Sequence, residues 1–69
     1  MESVSDLVAR YRHAAGTHEE AALRHEQAAA YWDGKGEAER AEFERRNALI
    51  EHDAAQLERD RAEFELRNR

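Results

Sequence analysis

Four histidines carry the widest chemical repertoire in this 69-residue chain, because an imidazole can bind a metal, carry a proton or donate a hydrogen bond. His18 and His25 are seven residues apart, about 10.5 Å along a helix, which is too far for both to bind one metal ion. The chain has no His-x-x-x-His pair, and no histidine follows the Glu-x-x-His spacing of di-iron bundles. His18, His25 and His52 therefore remain metal candidates only between chains. Their spacing favours interface histidines that hydrogen-bond to a carboxylate or to each other.

Because histidine titrates near neutral pH, histidines at a helix interface also indicate that the stability of that interface depends on pH. If His18 and His25 are buried in the neutral form, protonation places charge in the interface and loosens it below about pH 6. A regulatory pH switch and a simple physical consequence of burial both fit this pattern.

The remaining residue types exclude most other chemistry. There is no Cys, which excludes disulfides, thiolate zinc sites and iron–sulfur clusters. Gly34-x-Gly36 is too short for a phosphate-binding loop, and no Ser/His/Asp arrangement has a credible nucleophile turn. We therefore predict no catalytic residue, no cofactor and a protein that is not an enzyme.

The charge and hydropathy patterns limit the partners. The chain carries 11 basic and 16 acidic residues, a net charge of −5, with both signs interspersed, which argues against a nucleic-acid partner. The longest apolar run, 28–32, is too short to span a membrane. The first residues lack the basic and apolar segments of a secretory signal, so we expect a cytoplasmic protein.

The glycines and the absence of Pro predict two long helices. Two of the three Gly lie in 33–36, which predicts a turn between helices at about 4–32 and 37–67 within a single domain, 1–69. Gly34 is expected just past the end of the first helix, and Gly36 at the start of the second. Ser3 or Ser5 is the expected N-cap.

The first helix has a clear heptad pattern. Its leading positions are Val4, Tyr11, His18, His25 and Trp32. Apolar residues follow three and four positions later, which is typical of an amphipathic helix and argues against disorder. The pattern keeps its phase across Gly16 and favours one continuous helix. The alternative is a break at Gly16, with Thr17 and Glu20 forming a capping box.

The second helix carries two apolar stripes about 140° apart. The bulky stripe is Phe43, Ile50, Leu57 and Phe64, and the small stripe is Ala41, Ala48, Ala55 and Ala62. A helix with two such faces needs neighbours on both sides. We predict an all-α antiparallel hairpin that dimerises into a coiled-coil-like four-helix bundle, with close approach at the alanines and the bulky side chains in the centre. The expected interface residues are Tyr11, His18, His25, Trp32, Phe43, Ile50, Leu57 and Phe64.

This architecture favours a non-enzymatic module for oligomerisation and protein–protein interaction, such as a small adaptor or regulatory protein. The expected partner is a second copy of the chain or an unknown protein. A metal- or ligand-binding bundle that uses the interface histidines is the alternative. Tyr31 and Trp32 at the hairpin tip either cap the core or form a recognition patch.

Two segments carry a resemblance to known proteins: the His-, Glu- and Ala-rich run that starts at His18, and the Trp-Asp-Gly-Lys-Gly turn followed by Glu-Arg-Arg-Asn-Ala-Leu-Ile-Glu. Over about residues 18–60 the chain resembles short bacterial helical-hairpin proteins rich in Ala, Glu and His. The resemblance implies a helical hairpin and supplies no activity, ligand or residue role.

Overall fold

The computed structural model describes residues 2–68 as two long helices. Helix α1 spans Val4–Gly34 and helix α2 spans Ala38–Arg67. They pack side by side along their length in a rod of 51 × 14 × 13 Å. The predicted all-α hairpin is confirmed, and both helices match their predicted bounds to within two residues.

Helix α1 begins with a capping box. The Ser3 hydroxyl accepts a hydrogen bond from the Asp6 backbone amide at 3.1 Å, and the Asp6 carboxylate accepts one from the Ser3 amide at 3.4 Å. Ser3, rather than Ser5, is therefore the N-cap.

Helix α1 then continues through Gly16, which confirms the prediction of one unbroken helix. The Thr17 hydroxyl donates to the His13 carbonyl at 3.2 Å, the backward hydrogen bond of a threonine inside a helix. Thr17 is therefore an interior residue of α1 rather than the N-cap of a new helix.

The turn lies later in the chain than the predicted 33–36. Gly34 is the last residue of α1 rather than the first residue past it, and Lys35 is the C-cap. Gly36 has a φ of +74°, the left-handed conformation that glycine adopts at little cost. The predictions that Gly34 lies just past the end of α1 and that Gly36 starts α2 were therefore wrong.

Backbone hydrogen bonds explain this shift. The Glu37 amide donates to the Trp32 carbonyl at 2.9 Å, and the Gly36 amide donates to the Asp33 carbonyl at 3.1 Å. These two bonds form a Schellman motif, which places its left-handed residue directly after the C-cap. Gly36 occupies that position, so α2 starts one residue later than predicted, at Ala38.

Small side chains fill the contact between the helices. We call this contact the alanine seam; its buried residues are Val8, Ala15, Ala22 and Ala29 of α1 and Ala41, Ala48, Ala55 and Ala62 of α2. Ala22, Ala41 and Ala55 have no exposed surface. Each half of the seam repeats every seven residues, so the two helices stay in contact along the whole rod.

Candidate interaction surface

Two histidines line one edge of the alanine seam, and each contacts a carboxylate of the opposite helix. His18 Nδ1 lies 2.7 Å from Glu51 Oε2, and His25 Nδ1 lies 2.6 Å from Glu44 Oε2. The four side chains are between 26% and 36% exposed. We call this the histidine edge. At this edge, each histidine of α1 hydrogen-bonds to a glutamate of α2 across the contact between the helices.

The opposite edge of the seam has the reverse polarity, with carboxylates on α1 and cations on α2. Three of its cross-helix contacts repeat every seven residues: Arg45 to Asp33 at 2.9 Å, His52 to Glu26 at 2.8 Å, and Arg59 to Glu19 at 3.5 Å. We call this the arginine edge. The hydrogen bonds to Asp33 and then Glu42 raise the pKa of Arg45, so its charge is permanent.

His52 differs from His18 and His25 because both of its ring nitrogens contact carboxylates. Nε2 lies 2.8 Å from Glu26 and Nδ1 lies 3.2 Å from Glu19. A neutral imidazole has one N–H donor, whereas the protonated ring has two and can satisfy both carboxylates. The hydrogen bond to Glu26, followed by that to Glu19, raises the pKa of His52 above its ordinary value of 6.5.

Sequence reasoning did not identify Glu44 and Glu51 as the carboxylates that contact the histidines. Both belong to the helix contact. The sequence does contain a pattern that could have identified them. A glutamate lies three residues after each seam alanine of α2, at Glu44, Glu51, Glu58 and Glu65. A repeat in phase with the seam predicts a row along its border, because residues seven apart share one face of a helix.

The geometry of these contacts bears on the metal candidates. Within residues 2–68, no group of three or more His, Asp or Glu side chains is arranged to hold a metal ion. The two carboxylates at His52 lie at opposite ring nitrogens and cannot converge with the ring on one ion. His18 and His25 contact different glutamates, at separate levels of the rod.

The largest side chains of α2 lie outside the hairpin core. We call Phe43, Ile50, Leu57 and Phe64 the outer row; each follows a seam alanine by two residues, about 200° around the helix. Their exposed fractions are 59%, 63%, 51% and 53%, respectively. Leu49, at 64%, lies beside the row. The hairpin alone therefore leaves a full-length apolar line open to solvent.

The outer row continues into a shallow groove toward α1. The groove has a volume of about 350 Å³ and is lined by Tyr11, Leu57, Asp60, Arg61, Phe64 and Glu65. The Arg61 guanidinium lies 5.9 Å from the centre of the half-buried Tyr11 ring. The structure thus brings Tyr11 together with Leu57 and Phe64, three of the predicted interface residues.

The hairpin tip holds a compact aromatic cluster. Tyr31 and Trp32 contact edge to face, with ring centres 5.1 Å apart. Lys35 lies 5.5 Å from the Tyr31 ring and Arg40 lies 5.1 Å from the Trp32 ring, both at cation–π distance. Trp32 is half-buried and Tyr31 is 57% exposed at the end of the hairpin. Both alternatives, a cap on the core and a recognition patch, stay predictions.

Neither helix, as described over residues 2–68, contains a segment long and apolar enough to cross a membrane. Comparison of the chain with protein-family models, with curated proteins and with solved structures finds no match.

Proposed function

We propose that this chain is a non-enzymatic protein interaction module that self-associates through the outer row of α2, so that two hairpins form a four-helix bundle. The observation that carries the proposal is the exposure of Phe43, Ile50, Leu57 and Phe64 along one line of a charged helix. Burial of such side chains drives most protein association. A cytoplasmic location is part of the proposal.

The pairing of the charged groups supports a role without catalysis. His18, His25 and His52 each contact glutamates across the seam, and most other ion pairs are exposed. Such contacts align the two helices, and within residues 2–68 they leave no enclosed site in which a general acid or base is desolvated.

The size of the surface indicates weak, reversible association. A strip as long as a 30-residue helix, about 45 Å, and about 10 Å wide covers on the order of 450 Å² per partner. Stable interfaces bury about 800 Å² per partner. The groove beside Tyr11 widens the strip at one end. We therefore expect a monomer–dimer equilibrium that depends on protein concentration.

Sedimentation equilibrium over a range of concentrations tests the proposal. The wild-type chain should approach dimer mass as concentration rises, and Ile50→Glu should remain a monomer because the new carboxylate would be buried in the interface. Leu23→Glu is the matched control: Leu23 is 53% exposed, lies on α1 and gives the same charge change, and this variant should still dimerise. A monomeric wild type, or a dimeric Ile50→Glu, would contradict the proposal.

A further inference from the structure

The two histidines of the histidine edge each keep one ring nitrogen free. An ionised carboxylate only accepts hydrogen bonds, so Nδ1 carries the proton that His18 donates to Glu51 and that His25 donates to Glu44. In the neutral imidazole, Nε2 then has an unshared electron pair. Neither Nε2 has a polar partner within residues 2–68, and no buried side-chain nitrogen in that range lacks one. Both Nε2 atoms are therefore open to solvent.

A histidine held by a carboxylate in this way is suited to bind a metal ion. Metal-bound histidines almost always donate the other ring N–H to a carboxylate, a carbonyl or water, which fixes the tautomer and makes the free nitrogen a stronger ligand. Zn²⁺ binds imidazole nitrogen at about 2.0–2.1 Å and takes about four ligands. One chain offers only one imidazole at each level, because His18 and His25 lie about 10.5 Å apart along α1. A metal ion at this edge therefore needs a ligand from a second chain.

The charge of the histidine edge favours a cation. Within residues 2–68, neither Glu44 nor Glu51 forms an ion pair with an Arg or Lys, whereas the carboxylates of the arginine edge contact Arg45 and Arg59. With neutral imidazoles, the two carboxylates give the histidine edge a charge of −2. When two such edges meet, two divalent ions balance their carboxylates.

Small side chains border the histidines on both helices. Ala14, Ala21 and Ala28 of α1 each lie three or four residues from a histidine, which places them beside it on the helix surface. On α2, Ala54 lies three residues after Glu51. All four alanines are half-buried. Little side-chain bulk therefore keeps a second chain away from the histidine rings.

We propose that the histidine edge is a metal-dependent contact between two copies of this chain, in which a divalent ion of the Zn²⁺ type joins Nε2 of a histidine in each copy. Each copy offers two free nitrogens at the same spacing, so two copies match at both levels whichever way the second one runs. The dimer then holds two ions, each with one imidazole from each chain. On α2, this edge lies about 100° around the helix from the outer row, so the contact does not depend on the proposed self-association.

Zinc titration of the Ile50→Glu variant tests this contact apart from the outer row. One equivalent of ZnCl2 per chain should raise its mass in sedimentation equilibrium toward twice the value without zinc, and EDTA should reverse the change. Isothermal titration should give one ion per chain. Adding His18→Ala and His25→Ala together should abolish both responses. His13→Ala removes an exposed histidine outside the edge and should retain them, and far-ultraviolet circular dichroism checks that each variant is helical.

A carboxylate substitution gives a second measurement. Glu44→Ala removes the group that orients His25 and should raise the zinc concentration for half-maximal association about tenfold to 100-fold. Glu63→Ala makes the same change at an exposed position of α2 outside the edge and should leave that concentration unchanged. Zinc binding without an increase in mass would overturn the inference, as would equal effects of the two glutamate variants or association that persists without His18 and His25. A wild type that dimerises only with zinc would overturn self-association through the outer row alone.

Discussion

At the scale of single residues, the effect of each histidine depends on the carboxylate beside it. The expectation of loosening below about pH 6 required histidines that are buried in the neutral form. The structure instead places His18 and His25 against Glu51 and Glu44, with the rings only partly buried. The rings of His18 and His25 therefore lack the full burial on which that expectation depends.

His52 is the histidine for which we predict an effect of pH on the free energy of unfolding. The pKa of His52 is raised in the folded chain, so its contribution to the free energy of unfolding is complete below about pH 6.5 and is lost as pH rises through the folded pKa. Urea unfolding between about pH 5 and pH 9 should show this loss in the wild type, and His52→Gln should lack that part of the profile.

Two further observations test the role of His52. A histidine NMR titration should place the pKa of His52 above 6.5, because both carboxylates stabilise its charged form. His13 is exposed and enters no ion pair within residues 2–68, so His13→Gln should keep the wild-type profile. Superimposable profiles for His52→Gln and wild type would contradict the prediction.

At the scale of the helices, the alanine seam brings α1 and α2 into contact, and the charged residues at its two edges determine the register of one helix against the other. Successive seam alanines of α2 are equivalent under a shift of seven residues, so the seam alone does not distinguish neighbouring registers. The left-handed Gly36 in the turn fixes how the chain reverses. The contacts at the histidine edge and the arginine edge then match specific partners, such as Asp33 with Arg45.

A larger side chain in the seam should separate the helices. Ala55 has no exposed surface, so Ala55→Leu should lower the free energy of unfolding by about 1–3 kcal/mol through overpacking. Ala30→Leu is the control, because Ala30 lies on the exposed side of α1; it should change stability by less than about 0.5 kcal/mol. Urea unfolding measures both, and an Ala55→Leu variant as stable as wild type would show that the helices do not touch there.

At the scale of the whole molecule, the hairpin is a thin rod with an unusually small core. Over residues 2–68, the buried apolar residues are seven alanines and Val8, whereas eight larger apolar side chains are well exposed. Chains of this size without disulfides or metals commonly gain the missing burial by association. The distribution of apolar surface therefore favours the bundle over the isolated hairpin.

Association through the outer row should make thermal stability depend on concentration. In the proposed dimer the second copy binds only the folded chain, so mass action should raise the melting temperature as protein concentration increases. Circular dichroism melts over a 100-fold dilution series measure this shift, and Ile50→Glu should have a constant melting temperature. A wild-type melting temperature that is independent of concentration would contradict the prediction.

Local sequence determined the helices, their continuity and the presence of a turn. Heptad spacing kept its phase through Gly16, and the glycines near residue 35 interrupt the pattern, so these features depend on contacts within a few residues. The tertiary structure decided which of the two stripes of α2 packs against α1. Both stripes have the same seven-residue period, so the period alone does not distinguish them. The alanine stripe packs against α1 because small side chains let two helices approach closely along their whole length. It also decided that Glu44 and Glu51 meet His25 and His18, since such partners are brought together only when the chain reverses.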